Sequence, residues 1–351
     1  MLICWNANFI GEKLGVWAVP DSRKRHQRRT PQVGGLAILA GFGASLLILL
    51  ISKQAINQTL PVIELAASAA VGLLGFLDDR ADLRALARIL ALVLAIGIAI
   101  GFYPELVSRE LNWGIGSPTP ITFWTGFALL IAASVGIVNA VNMADGLDGI
   151  AGGMFIVWSA CLMWVVRDHP TSFAMATAIL FSSVVFFAFN IRGALFLGDC
   201  GSYGVTFALG LLVMLAHSRG ELCLVSAIVW FLIPVVDCIR MMVTRIAKGR
   251  SPFLSDCGHF HHRLERRIGR QGAAVAYVVP IAAASLIATV RPSIALNCVC
   301  CLAAYYLMVM ILTLTTATEK VRAVPVSENE APTTVRKLPT SRGGASNGIM
   351  T

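Results

Sequence analysis

The sequence predicts an all-α fold: a polytopic integral membrane helical bundle of about ten transmembrane helices. Three observations predict it. The 351 residues are 57% hydrophobic and only 13% charged, with a mean hydropathy of +0.75, far from the balance of a soluble domain. Ten apolar runs approach the roughly 20 residues a helix needs to cross a bilayer. The basic residues cluster on alternate connections between those runs, as the positive-inside rule expects.

The runs fall at about 33–51, 60–77, 89–103, 122–139, 150–166, 172–190, 203–216, 222–239, 272–290 and 294–316. The third and seventh are short, so their edges are the least defined. The chain then divides into a basic N-terminal segment (1–32), a transmembrane domain (33–316) and a tail (317–351). Met1–Pro20 is weakly apolar and broken by Glu12 and Lys13, which is not a cleavable signal peptide. Pro104, Pro118 and Pro120 argue against a continuous helix in the 104–121 connection. The tail is rich in Pro, Ser, Thr and Gly with few large apolar residues, and is expected to be disordered.

Charge orients the bundle. With the first span starting inside, the cytoplasmic segments hold 23 of the 28 Lys and Arg. The outer connections keep Lys53, Arg109, Arg167, Arg219 and Arg291. A net charge of +9 on that face suits anionic headgroups of the lipid bilayer or an anionic substrate. No soluble basic domain is present to hold a nucleic acid. The nine cysteines give one CxxC spacing, Cys298 to Cys301, inside an apolar run. Buried thiols there behave as small hydrophobes, so neither a disulfide framework nor a zinc site is read from them.

The acids are concentrated at the cytoplasmic ends of spans. Asp78 and Asp79 close the second run, with Asp82 three residues on. Carboxylates at a membrane edge are costly to desolvate and raise a functional hypothesis, although a solvated acidic loop is the plainer alternative. Asn139, Asn142 and Asp145 recur every third residue and would share a helix face; Asp148 follows. Gly146 and Gly149 would permit a tight turn there, against which stands a simple helix–turn–helix with Asp and Asn caps. Phe196-Leu197-Gly198-Asp199 sets another acid at the start of a span, where it could merely cap a helix.

Cationic residues flank these acids. The strip Arg23-Lys24-Arg25-His26 reads as a phosphate-binding segment or as a topology signal alone. Arg250 through Leu264 carries His259, His261 and His262, spaced too tightly for a typical structural zinc site but suited, with Arg250 and Arg263, to diphosphate contacts. Hard carboxylate oxygens suit Mg²⁺, which commonly binds through one or two carboxylates, waters and substrate phosphates. The chemistry that needs this set is phosphoryl transfer, where positioning and charge neutralisation dominate. No Walker A pattern is present.

From Pro20 to Gly269 the chain resembles the polyprenyl-phosphate N-acetylhexosamine-1-phosphate transferase family, and within it the undecaprenyl-phosphate N-acetylglucosamine-1-phosphate branch. The resemblance rests on PDSRKRH with PQVGG, GFLDDRADL, NAVNMADGLDG, FLGDCGS and GRSPFLSDCGHFHHRL, in family order. It implies transfer of a sugar-1-phosphate from a UDP-N-acetylhexosamine, N-acetylglucosamine foremost, to undecaprenyl phosphate with release of UMP. It also implies a multi-pass protein of the bacterial inner membrane, its site facing the cytoplasm. Asp199 would bind Mg²⁺, or Mn²⁺ in its place. Asp78 and Asp79 would flank the metal and the acceptor phosphate, one of them as a candidate base. Asn142, Asp145 and Asp148 would shape the nucleotide side, and Phe196 would stack on uracil. His259, His261, His262 and Arg250 would contact the donor, and Lys24 and His26 belong to the substrate-binding strip. Direct attack and a phospho-Asp route both fit.

Three departures stand out. The family usually has one more span before the basic strip, so the start is read as mis-set or truncated, with stability and activity in question. A Gln common after the paired acids is missing from Arg88-Ile89-Leu90-Ala91-Leu92, and Asn190-Ile191-Arg192-Gly193-Ala194 lacks a common proline. The alternatives are the phospho-N-acetylmuramoyl-pentapeptide transferase, whose three consecutive histidines are interrupted here by Phe260, an inactive relative, and an ion-coupled transporter. The last expects acids deep in the bundle, for which Glu64 is the main candidate. Oligomeric state is not readable, and a homodimer is kept as a candidate assembly.

Overall fold

The computed structural model describes residues 1–18, 29–52, 58–252 and 258–322, the last nine by backbone alone. Residues 1–313 form one compact unit; 314–351 form a second, of which only the helical stretch to Arg322 is described. The described helices are α1 (Leu2–Trp5), α2 (Ala7–Leu14), α3 (Gly34–Ile51), α4 (Thr59–Ala81), α5 (Ala85–Phe102), α6 (Phe123–Ala144), α7 (Ile150–Val165), α8 (Pro170–Asn190), α9 (Gly198–Ser218), α10 (Leu224–Ala247), α11 (Phe260–Val290) and α12 (Ala295–Arg322). Two minimal hairpins accompany them: β1 (Trp17–Ala18) with β2 (Thr30–Pro31), and β3 (Glu110–Leu111) with β4 (Thr119–Pro120).

Each of the ten apolar runs has become a helix, α3 to α12. Among the described residues, nine are long and apolar enough to cross a membrane. The tenth, α7, has 16 residues, roughly 24 Å of rise. The protein is therefore a multi-pass, all-α membrane protein. Among the described residues, the helices ahead of α3 are α1 and α2, where Cys4, Ala7 and Gly11 are buried while Leu2, Trp5 and Phe9 stay exposed. The connection after α5 is a short 3-10 turn at Pro104–Leu106 followed by the β3–β4 hairpin, as its prolines required.

The core is organised around α9, which is apolar on every face and buried almost throughout. A helix of that kind must be enclosed by others, and α3, α4, α6 and α7 surround it. Small residues allow the approach. A Cβ at Gly35 would lie 2.0 Å from the backbone nitrogen of Gly201, so α3 and α9 touch backbone to backbone. On α10, Pro234 removes the amide that would bond the carbonyl of Trp230. That carbonyl instead accepts the indole N–H of Trp158 at 3.0 Å, pinning α7 to α10.

Alternation of the helices brings the ends of α4, α6, α8 and α10 together with the starts of α3, α5, α9 and α11. Hydrogen bonds join them across the bundle: Phe196 N–H to Pro31, Gly34 N–H to Phe196, Asn142 to Asp199, and Gly149 N–H to Asn190. Every described acid singled out at span ends lies at this one end.

Candidate active site

Asp199 occupies the first turn of α9. Gly198 before it has φ +73°, a left-handed conformation that a side chain would strain, and it aims the chain from the 191–197 turn into the helix. The Asp199 carboxylate accepts the amide of Asn142 at 2.9 Å, and the same amide reaches Ser202 Oγ at 3.0 Å. Asn142 thus fixes the rotamer of Asp199 from α6. Asn139, on the same helix, turns instead to the carbonyl of Val135.

The paired acids at the end of α4 do different things. Asp79 accepts the backbone N–H of Asp199 (3.0 Å) and of Cys200 (3.2 Å), and the amide of Gln32 (3.2 Å). It is the N-cap of α9, supplied by another helix, and it satisfies donors that a helix start leaves orphaned. Asp78 is buried, and Arg88 Nη1 (2.7 Å), Tyr203 Oη (2.9 Å) and the Leu83 N–H (2.8 Å) all donate to it. Arg88 therefore stands as the charge partner of Asp78 on the helix where the resemblance led one to expect a Gln. Asp82 ends α4 in the left-handed region at φ 46°, the one non-glycine residue to do so among the described residues.

The turn after α6 carries Asp145 and Asp148. Asn190 braces it: its Oδ1 accepts the Gly149 N–H at 2.7 Å, and its Nδ2 reaches Asp148 Oδ1 (3.3 Å) and the Leu195 carbonyl (3.0 Å). Arg270 Nη2 lies 3.0 Å from the other Asp148 oxygen. Burial, with Asp148 and Asp79 nearby, pushes the Asp145 carboxyl up to about 7. An acid so raised beside other acids marks a place built for a cation or a proton.

The histidines divide by environment. His259 is buried, its Nδ1 2.9 Å from Asp237 Oδ2 and its Nε2 3.3 Å from Arg245 Nη2. Both ring nitrogens are engaged, which leaves none for a donor molecule; this departs from the direct contact expected of it. His261 is also buried, and among the described residues neither ring nitrogen has a hydrogen-bond partner. Its ring lies against Gly146, where a Cβ would come within 2.0 Å of Nε2. His262 is half-buried, 3.5 Å from Glu265. The Arg250 side chain is exposed, with its backbone N–H on the Arg245 carbonyl. Phe196 is half-buried beside Asp199, its backbone held by Pro31 and Gly34. Lys24 and His26 lie outside the described residues.

Among the described residues no three His, Cys, Asp or Glu side chains converge as a closed metal cage. The donor set nevertheless fits Mg²⁺, which takes oxygen ligands and rarely more than two protein carboxylates. Asp199, held by Asn142 and next to Asp79, is the oriented carboxylate here, and Asp145 is the acid raised by burial and then by its acidic neighbours.

Asp237, Arg240, Arg245 and Tyr306 were not singled out from sequence. Asp237 and Arg240 are three apart near the end of an apolar run, and a charged pair in such a place is the signal that could have found them.

Residues 62–217 match the family model described as glycosyl transferase family 4. The chain is 30% identical over 305 residues to the undecaprenyl-phosphate alpha-N-acetylglucosaminyl 1-phosphate transferase of Escherichia coli, covering 82% of this chain and 79% of that one. It is 31% identical over 291 residues to the decaprenyl-phosphate N-acetylglucosaminephosphotransferase of Mycobacterium leprae, covering 73% and 71%. At that identity and coverage, the chain belongs to glycosyl transferase family 4.

Proposed function

We propose that this enzyme transfers N-acetylglucosamine-1-phosphate from its UDP-linked donor to a polyprenyl phosphate, undecaprenyl phosphate in the first instance, and releases UMP. The names of the relatives support the sugar and the acceptor. The distribution of Lys and Arg supports a cytoplasmic site in a bacterial inner membrane. The observation that carries the reading is Asp199, fixed by Asn142 at the start of α9 with Asp79 capping that helix.

The positive end of the α9 dipole lies at the site, with the Asp199 and Cys200 N–H groups already taken by Asp79. Asp199 and one of Asp79 or Asp145 would hold Mg²⁺. Bound there, the ion would neutralise charge on the donor's diphosphate. Phe196 would stack on uracil. Asn142 keeps Asp199 in place through the reaction, and Asn190 and Arg270 keep the Asp145–Gly149 turn in shape. An oxygen of the acceptor phosphate attacks the sugar-bearing phosphorus, a P–O bond forms, and the bond to the bridging oxygen breaks so that UMP leaves. A phosphate monoester has its second pKa at about 6, so the nucleophile is already ionised near neutral pH. Asp78, whose carboxylate is held by Arg88, Tyr203 and Leu83, is then a positioning residue and not a base. That arrangement favours direct attack over a phospho-Asp intermediate at Asp78.

The test is reconstitution with labelled UDP-N-acetylglucosamine, undecaprenyl phosphate and Mg²⁺. Labelled lipid and equimolar UMP are expected. Folded protein that yields neither would sink the reading.

A further inference from the structure

The end of α10, the start of α11 and α12 enclose a second carboxylate network, apart from Asp199. Its centre is Asp237, only 4% exposed. Arg240 Nη2 (2.7 Å) and Tyr306 Oη (2.9 Å) donate to its Oδ1, and His259 Nδ1 approaches its Oδ2 at 2.9 Å. The backbone N–H of Phe260, the first residue of α11, reaches both oxygens at 3.2 Å. Arg240 also holds the Gly258 carbonyl at 2.8 Å. Asp237 thus caps α11 from another helix, as Asp79 caps α9.

The pair of contacts on His259 defines its tautomer. A carboxylate only accepts, so Nδ1 carries the proton. A guanidinium only donates, so Nε2 accepts from Arg245. The His259 ring in turn stacks on His261 at 5.6 Å between centroids and 7° between planes. His261 meets Gly146 in the Asp145–Gly149 turn, with both ring nitrogens unpartnered and buried. A chain of fixed contacts therefore runs from Asp237 through His259 to His261, whose buried ring nitrogens have no hydrogen-bond partner among the described residues.

We propose that Asp237 is the positioning residue of the donor side of the site: by fixing the tautomer of His259 and the start of α11, it sets His261 against the Asp145–Gly149 turn for the diphosphate of the nucleotide-sugar. This rests on the transferase reading above. A change of Asp237 alters donor binding without altering acceptor binding, although the residue touches neither.

The experiment compares Asp237→Asn, His259→Asn and the double variant in the full-length detergent-solubilised protein. An asparagine at 237 keeps the shape, and with its oxygen held by the Arg240 and Tyr306 donors it presents its NH2 to His259 Nδ1, which favours the other tautomer and sets Nε2–H against Arg245. The KM for UDP-N-acetylglucosamine should rise tenfold or more, while the KM for undecaprenyl phosphate stays within twofold. The double variant should be no worse than His259→Asn alone. Nitrogen-15 histidine spectra should show a wild-type Nδ1–H tautomer that Asp237→Asn loses. A folded Asp237→Asn protein with a wild-type donor KM overturns the proposal, as does full additivity in the double variant. If Asp237→Asn does not fold, His259→Asn decides: an unchanged donor KM overturns the proposal. A wild type without transferase activity would remove the transferase reading instead, and the tautomer spectra would still report whether Asp237 governs His259.

Discussion

Arg88 Nη1 lies 2.7 Å from Asp78 Oδ2, joining the helix after the paired acids to the first of them. Tyr203 of α9 shares the same oxygen at 2.9 Å. The contact locks α4, α5 and α9 at the end of the bundle where Asp199 sits. Asp78 is buried and Arg88 half-buried, so removing the guanidinium leaves the carboxylate with Tyr203 and the Leu83 N–H but no charge partner, at a cost of up to about 3 kcal/mol. Arg88→Leu should therefore lower the melting temperature in detergent clearly, and Asp78→Asn added to it should recover part of the loss. Two losses that simply add would show that the pair is not the stabilising unit.

Asp199→Asn tests the centre. The substitution keeps the shape that Asn142 bonds but removes the charge. Turnover with UDP-N-acetylglucosamine and Mg²⁺ should fall by about 10²-fold or more, with folding preserved by size-exclusion and thermal criteria. Near-normal turnover would take Asp199 out of the metal role.

Asp145 predicts a pH dependence. Its carboxyl is raised from 3.8 to about 7. The folded protein then holds a proton that the unfolded chain releases above about pH 4. Stability must fall as pH rises from about 4 through 7. Without divalent metal, the melting temperature should decline across that window, and Asp145→Asn should flatten the decline. Added Mg²⁺ should favour the ionised acid and stabilise more at pH 8 than at pH 6. Parallel curves for wild type and Asp145→Asn would exclude Asp145 as the titrating group.

Gly35→Ala tests the backbone contact between α3 and α9. The new Cβ would lie 2.0 Å from Gly201 N, with backbone on the other side that has no rotamer to yield. Overpacking typically costs about 1–3 kcal/mol, and a backbone clash belongs at the upper end or above. Loss of folded protein or a sharply lowered melting temperature is expected, whereas Gly97→Ala on α5, with nothing within 4 Å, should be tolerated.

Much of the fold was legible because a bilayer reads composition directly. The ten apolar runs became α3 to α12, since each needs only local hydropathy and internal hydrogen bonds. Helix ends were less legible. The 272–290 run extends back to Phe260 across a break at Gly269 (φ 73°), because the His-bearing turns wind into a helix of their own before the span begins. The 222–239 run continues to Ala247, where Arg240 and Arg245 find carboxylate, imidazole and carbonyl partners inside the protein.

By itself, then, the sequence determined the membrane class, the number of apolar helices and the segments that gather the acids. Those properties are sums over neighbouring residues. Only the tertiary structure decided that Asp78 is bound to Arg88 while the adjacent Asp79 caps α9, 120 residues away. It also decided that His259 is spent on Asp237 and Arg245 while His261 faces Gly146. Adjacent side chains at a helix end point about 100° apart, so packing assigns each a different partner, and no local spacing encodes which partner the facing helix will bring.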